Sequence, residues 1–186
     1  MRDLRKSLLS IEPNKECDRI CAFISEQVKA FRRDGVVVGL SGGVDSAVAS
    51  AVCVEALGRE NVFGLILSEK ESSPLSAAYA KRHADVMGIR YETIDITPML
   101  ERIGTYEKRD EAVRSVYPDL RPWDKIKLSL PPDILEKDAL NVFSLLIVRR
   151  DKLVFRRRLN KTQLNSIVAA TNTKQRTRML ILYYWA

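Results

Sequence analysis

From Asn14 onward, Cys17, Ile20, Cys21, Ile24, Val28 and Phe31 recur at spacings of three and four, which places them on one face of a helix. Asn14 stands where a capping residue is expected. Gly35 breaks the pattern, and Val36 to Leu40 follows as a short, almost wholly apolar run. Such a run fits a strand covered on both faces, as in parallel sheets. An alanine- and valine-rich helix is predicted from Val44 to Leu57, with Gly58 placed to end it. A second apolar strand runs from Val62 to Leu67. Ser72-Ser73-Pro74 then reads as a helix start, with serine as cap and proline at the first helical position. That helix, Pro74 to Met87, stops at Gly88, and Tyr91 to Ile96 makes a third strand. Strand, helix, strand, helix, strand predicts an α/β fold with right-handed crossovers.

The second half is less regular. Thr97 to Tyr117 reads as a charged helix. Arg121 to Pro132, with three prolines and a tryptophan, reads as a surface excursion. Phe143–Val148 and Leu153–Arg157 flank a turn at Arg150-Asp151 and predict a β-hairpin. Two helices are expected to close the chain, one from about Lys161 and one from about Thr173. All eight glycines lie at or before Gly104.

Composition narrows the class. A chain of 186 residues with 46% hydrophobic and 30% charged residues supports one globular core. No apolar run reaches the ~20 residues that cross a bilayer. The first eleven residues hold only Leu8-Leu9 as an apolar patch, too short for a signal-peptide core. Three cysteines make no disulfide framework, so the expected location is the cytoplasm. The net charge of +7 is local: Leu145–Ala186 holds ten basic residues and one acid, and the remainder is slightly acidic. That excess suits a polyanion or, equally, a solvated basic hairpin.

Several residues invite chemistry that their context does not support. Cys17 and Cys21 could form half a metal site, but no second ligand pair completes it, so core packing is expected. Cys53 falls on an apolar helix face and is expected to be buried. His83, the single histidine, is expected in solvent beside Lys81, Arg82 and Asp85. Tyr183, Tyr184 and Trp185 read as core or interface, and Arg156-Arg157-Arg158 as a solvated face.

The strongest signal is Gly39-Leu40-Ser41-Gly42-Gly43-Val44-Asp45-Ser46, between the first strand and the helix after it. Ligands of open parallel sheets bind beyond the carboxyl ends of strands. Adjacent glycines let backbone amides converge on an anion, and the following helix adds free N–H groups and its positive dipole end. Ser41 and Ser46 add hydroxyls. The result is a phosphate cradle, but not the common P-loop, which needs a lysine after its last glycine. Asp45 occupies that region instead. An acid beside phosphates calls for an intervening cation, so Asp45 is the expected Mg²⁺ ligand. The bland alternative is a tight turn with Asp45 as a helix-start residue.

Ser41-Gly42-Gly43-Val44-Asp45-Ser46 resembles the SGGxDS loop of the ATP pyrophosphatase (PP-loop) superfamily. Val36 to Ile96, including Ser72-Ser73, resembles NAD synthetase most closely within it. Asn172-Thr173-Lys174-Gln175-Arg176-Thr177-Arg178-Met179 is similar to the N-x-K-x-R-x-R-M helix of the same family. The resemblance implies a Rossmann-like (adenine nucleotide alpha hydrolase-like) parallel sheet with helices on both faces. It implies a nucleotide-binding core at 1–104, an insertion at 105–160 and a helical end at 161–186 within one domain. It also implies an ATP-dependent amide ligase. A carboxylate, that of deamido-NAD or a related acid, attacks the α-phosphate of ATP and expels pyrophosphate, and ammonia then displaces AMP. ATP would lie on Gly39, Leu40, Ser41, Gly42, Gly43, Val44, Asp45 and Ser46, with Mg²⁺ on Asp45. Arg176 would contact the substrate, Leu67-Ser68 would lie near adenine, and the working form would be a homodimer.

Departures from the family sharpen these expectations. Tyr106 to Asn160 is longer than ordinary members have there. After the Asn172 helix the family continues with a fourth strand, an ATP-binding threonine, a second Mg²⁺ acid and a fifth strand, none of which is in these 186 residues. The chain therefore reads as incomplete at its C-terminal end, with Val36 to Leu40 as an open sheet edge, and these 186 residues alone are expected to bind ATP weakly at best and not to turn over. Two alternatives remain: a PP-loop sulfurtransferase acting on RNA through the basic segment, although no C-x-x-C is present, and a non-catalytic remnant that works by association. Nucleic acid is the less expected partner, and a membrane is not expected.

Overall fold

In the computed structural model, which describes residues 11–129 and 143–186, the chain forms two compact units. The first takes the described residues up to Thr97 together with Arg178–Ala186, and the second takes Pro98–Thr177. The elements of the first are α1 (Pro13–Ala30), β1 (Val36–Gly39), α2 (Val44–Leu57), a 3₁₀ turn (Arg59–Asn61), β2 (Val62–Ser68), α3 (Pro74–Met87) and β3 (Arg90–Asp95). The α/β order expected from the sequence is present, with strand ends within one residue of expectation.

The three strands form a parallel sheet in the order β1-β2-β3, with Val36 opposite Val62 and Phe63 opposite Arg90. β2 is central and nearly all buried, whereas β1 is an edge strand whose four residues are only half-buried. Alternation sends Val36, Val38, Val62 and Ile66 to one face. There they pack with Ala77, Ala80 and Ala84 of α3 and Cys53 and Val54 of α2. Phe63 lies on the opposite face and stacks on Trp185, with centroids 5.3 Å apart. Gly39 faces Leu182, whose Cδ1 is 3.3 Å from where a Cβ would stand. Helical residues thus cover both faces of the sheet, as expected.

α1 starts at Pro13, with Glu12 in the capping position and no side-chain cap. Asn14 is therefore inside the helix and not its cap, because proline's fixed φ favours the first helical position itself. Its apolar face leans on α2: Cys21 Sγ approaches Val52 O at 3.7 Å, and Ser25 Oγ donates to Ala56 O at 3.0 Å. Cys17 and Cys21 are half-buried, with sulfurs 4.0 Å apart. Burial, then the neighbouring Cys17 thiol, pushes Cys21 above the ordinary thiol range. No group of three or more candidate metal ligands exists among the described residues.

The second unit departs more from expectation. The helix foreseen over Thr97–Tyr117 is two helices, α4 (Thr97–Arg102) and α5 (Thr105–Arg114), separated at Gly104 in the left-handed region. Lys125–Ser129, foreseen within a surface excursion, is strand β4. The expected hairpin is present as β5 (Ser144–Arg149) and β6 (Lys152–Arg158). The antiparallel order is β4-β5-β6. β4 was hidden because its pattern, Lys-Ile-Lys-Leu-Ser, is short and half charged; only pairing with β5 settles it. Leu130 to Pro132, also foreseen in that excursion, lie outside the described residues. Val113, Val116, Leu120, Leu145, Ile147, Leu159 and Ile167 form this unit's core. Arg156, Arg157 and Arg158 are exposed on β6.

The two closing helices are one, α6 (Lys161–Trp185), of 25 residues. No glycine or proline interrupts it, and the hydroxyls of Thr173 and Thr177 bond back to Ala169 O and Thr173 O, each at 2.9 Å. Its start is a reciprocal capping box: Gln163 N donates to Asn160 Oδ1 (2.9 Å) and Asn160 N to Gln163 Oε1 (3.1 Å). Replacing Asn160 by alanine is expected to cost about 1 kcal/mol, read as a lower urea midpoint. An unchanged midpoint would show that the box contributes nothing.

Candidate functional site

The carboxyl end of β1 runs directly into the glycine turn. Leu40 is buried, and its N–H donates to Leu65 O at 2.8 Å, continuing the sheet. Beyond it the backbone leaves the sheet. Ser41, Gly43, Val44 and Asp45 are exposed, and Gly42 and Ser46 are half-buried.

Two serines shape the turn from within. Ser46 Oγ donates to Gly43 O (3.0 Å), receives the Ser41 N–H (3.2 Å) and lies 3.0 Å from Ser41 Oγ. Ser41 Oγ in turn accepts the Gly43 N–H at 3.2 Å. These hydroxyls, expected to add donors for a phosphate, hold the loop in shape by bonding to its own backbone.

Gly42 has φ +78°, and a Cβ there would stand 2.1 Å from Ser76 O. The turn is therefore pressed against the first turn of α3, and glycine is required on both counts. Gly43 has φ −91° and provides no side-chain cap to α2. The N–H groups of Val44, Asp45 and Ser46, in the first turn of α2, lack intrahelical acceptors. They carry the positive end of the helix dipole at the solvent-facing edge of the sheet. The Ser41 and Gly43 N–H groups are taken by Ser46 Oγ and Ser41 Oγ, so the first-turn N–H groups of α2 are the ones left to meet an anion.

Asp45 lies exposed in that same first turn. One carboxylate is a poor all-protein cage, but Mg²⁺ commonly takes one or two carboxylates and completes its shell with phosphate oxygens and water. The donor set fits that use. Arg176 is exposed on the α6 segment of the second unit. Its motif neighbour Arg178 belongs to the first unit, where Nε donates to Leu67 O at 3.1 Å. That bond anchors the end of α6 to the carboxyl end of β2. Ser68 O accepts the Ile96 N–H at 2.9 Å.

His83 is the main revision. It was expected in solvent, yet it is half-buried, with Nε2 2.7 Å from Ser50 Oγ. Its charged sequence neighbours hid the inward turn of its own side chain. The Ser46–Ser50 spacing of four on α2 was the available signal that a second serine lies under the loop. Cys53 is half-buried rather than fully buried, and burial pushes its thiol up.

A parallel sheet whose first strand ends in a glycine turn and a helix without a side-chain cap defines a Rossmann-like fold. A family model described as NAD synthase matches residues 16–118, and the chain belongs to that family. The chain is similar to the NH(3)-dependent NAD(+) synthetase of Mesorhizobium japonicum, 40% identical over 180 residues, covering 96% of this chain and 56% of that protein. The protein of the same description from Rhizobium meliloti is 38% identical over 178 residues, covering 96% and 53%. The solved NAD+ synthetase from Burkholderia pseudomallei shares the fold, with TM-score 0.52 and 17% identity over 95% of this chain and 59% of that one. The chain thus spans about half the length of the curated relatives it matches. Those matches cover 96% of this chain and so extend across Tyr106 to Asn160, the stretch expected to be longer than in ordinary members.

Proposed function

We propose that this chain carries the ATP-binding half of an ammonia-dependent NAD synthetase. Gly39–Ser46 hold the β- and γ-phosphates of ATP, and Asp45 holds Mg²⁺, which supplies charge neutralisation on the phosphate oxygens when bound. The carboxylate of deamido-NAD attacks the α-phosphate, pyrophosphate leaves, and ammonia displaces AMP to form the amide. The turn's task is electrostatic: amides fixed before the reaction favour the charge that grows on the departing pyrophosphate. Arg176 contacts deamido-NAD, and the working form is a cytoplasmic homodimer. Among the described residues no helix is long and apolar enough to cross a membrane.

The observation that carries this reading is the uncapped first turn of α2 beside exposed Asp45 at the carboxyl edge of β1. The names of the similar proteins support the ligase reading and not the sulfurtransferase one. Calorimetric titration of the chain with pyrophosphate is expected to give saturable binding that strengthens with Mg²⁺. Asp45→Asn is expected to weaken Mg²⁺-dependent binding roughly tenfold. Without Mg²⁺ it is expected to leave binding equal or tighter, because a negative charge beside the anion has been removed. Pyrophosphate that fails to saturate the wild-type chain, or an Asp45→Asn variant that keeps its full Mg²⁺ response, sinks the assignment.

A further inference from the structure

His83 lies on α3 and touches the loop only through another residue, yet the contacts around it form a continuous path to the anion site. Ser50 is fully buried. Its hydroxyl lies 2.9 Å from Ser46 O, 3.1 Å from Ala47 O and 2.7 Å from His83 Nε2. A serine hydroxyl has one proton. When it goes to a helical carbonyl, the ring's Nε2–H donates to Oγ; when it goes to the ring, Nε2 accepts. Either tautomer keeps the bridge between the helices.

The surroundings make that bridge matter. The side chains that α2 and α3 contribute to the shared core are small apolar groups: Cys53 and Val54 from α2, and Ala77, Ala80 and Ala84 among those from α3. Such contacts hold helices together but give little directional register. α3 meets the glycine turn at a second point, where Ser76 O occupies the space of a Gly42 Cβ. A slip of α2 along α3 would drive that carbonyl into the Gly42 backbone or leave the turn unsupported. Ser46, whose carbonyl the Ser50 hydroxyl approaches, is also the residue whose hydroxyl ties Ser41 to Gly43. The register of α2 therefore sets both the loop shape and the direction of its open N–H groups.

We propose that His83 is a positioning residue for the anion site: through Ser50 it fixes α2 against α3 so that the Val44–Ser46 amides converge on pyrophosphate. The inference rests on the phosphate-binding reading above and assigns that site a residue one helix away. It needs no charge on the ring, because a neutral N–H donor suffices.

The test is titration of the purified chain with Mg²⁺ and pyrophosphate, together with urea unfolding. His83→Leu keeps the bulk and removes the bridge, and is expected to weaken binding about tenfold. His83→Gln places an amide N–H₂ near the Nε2 position and is expected to recover most of that loss, while the two variants unfold at similar midpoints. Should His83→Leu fail to fold, Ser50→Ala makes the same cut from α2 and carries the same expectation. Wild-type binding with an unaffected His83→Leu overturns the positioning role and leaves the phosphate site standing. Equal loss in the Leu and Gln variants also overturns it, since ring packing and not the hydrogen bond would then be responsible. Absence of wild-type binding removes the phosphate site and the positioning role together.

Discussion

Gly42→Ala is expected to abolish measurable binding of Mg²⁺-pyrophosphate and to destabilise the parallel unit by roughly 2–4 kcal/mol. A non-glycine residue held near φ +78° costs ~1–2 kcal/mol by itself. The added methyl would also stand 2.1 Å from Ser76 O and 2.9 Å from its carbonyl carbon. Those are backbone atoms of an α-helix start, which cannot swing aside as a side-chain tip can. Something larger must give, either α3 or the turn, and both movements misdirect the first-turn amides of α2. Gly43→Ala is the matched control. At φ −91° its methyl would meet nothing nearer than Ser41 Oγ at 3.4 Å, so a loss of at most about 1 kcal/mol is expected, from weaker capping alone. Urea unfolding of both variants decides the point. Equal midpoints for the two would mean that the turn is not braced on α3.

Removing the Asp124 carboxylate is expected to cost the antiparallel unit about 2 kcal/mol at neutral pH and to change its acid response. The side chain of Asp124 is wholly buried against Arg149. Arg149 Nε donates to Oδ1 at 2.7 Å and Nη2 to Oδ2 at 2.8 Å, a two-pronged pair. Oδ2 also accepts the Arg121 N–H at 3.0 Å. The Arg149 hydrogen bonds, joined by the Arg121 N–H and the charges of both arginines, bring the carboxyl from 3.8 down to about 2 against the opposing effect of burial. Because the folded value is the lower one, the stabilisation is fully present above about pH 4–5. It drains away as pH falls through the window from 3.8 towards 2. Asp124→Asn should therefore lower stability at pH 7 and flatten its decline between about pH 4 and 2. Fluorescence of Trp123, next to the pair in the chain, can follow the transition. An acid-unfolding curve that is the same with and without the carboxylate removes the pair from the account.

Much of the first unit is readable from the sequence. Gly58 and Gly88 end α2 and α3 where expected, α1 stops at Ala30 before Gly35 is reached, and Val62–Leu67 is apolar enough to be a central strand in any arrangement. The glycine turn was legible as the place to look for a site because residue type and position, at the end of the first strand, point the same way. Its internal wiring was not legible. Nothing in the letters says that Ser41 and Ser46 bond to each other, or that His83 turns inward past Lys81 and Arg82. In the second unit, β4 and the unbroken length of α6 are not legible in the sequence for one reason: a lysine-rich strand and a helix with several threonines both have weak local preference, so their partners decide.

By itself the sequence determined the order of strands and helices in the first unit, the position of the glycine turn and the family to which both belong. These depend on periodicity and glycine placement within a few residues, where backbone sterics act directly. The tertiary structure decided which of two adjacent glycines is indispensable, that a histidine braces a loop one helix away, and that Asp124 pairs with Arg149. Each of these depends on atoms brought together from distant parts of the chain, and packing, which no local pattern encodes, sets those meetings.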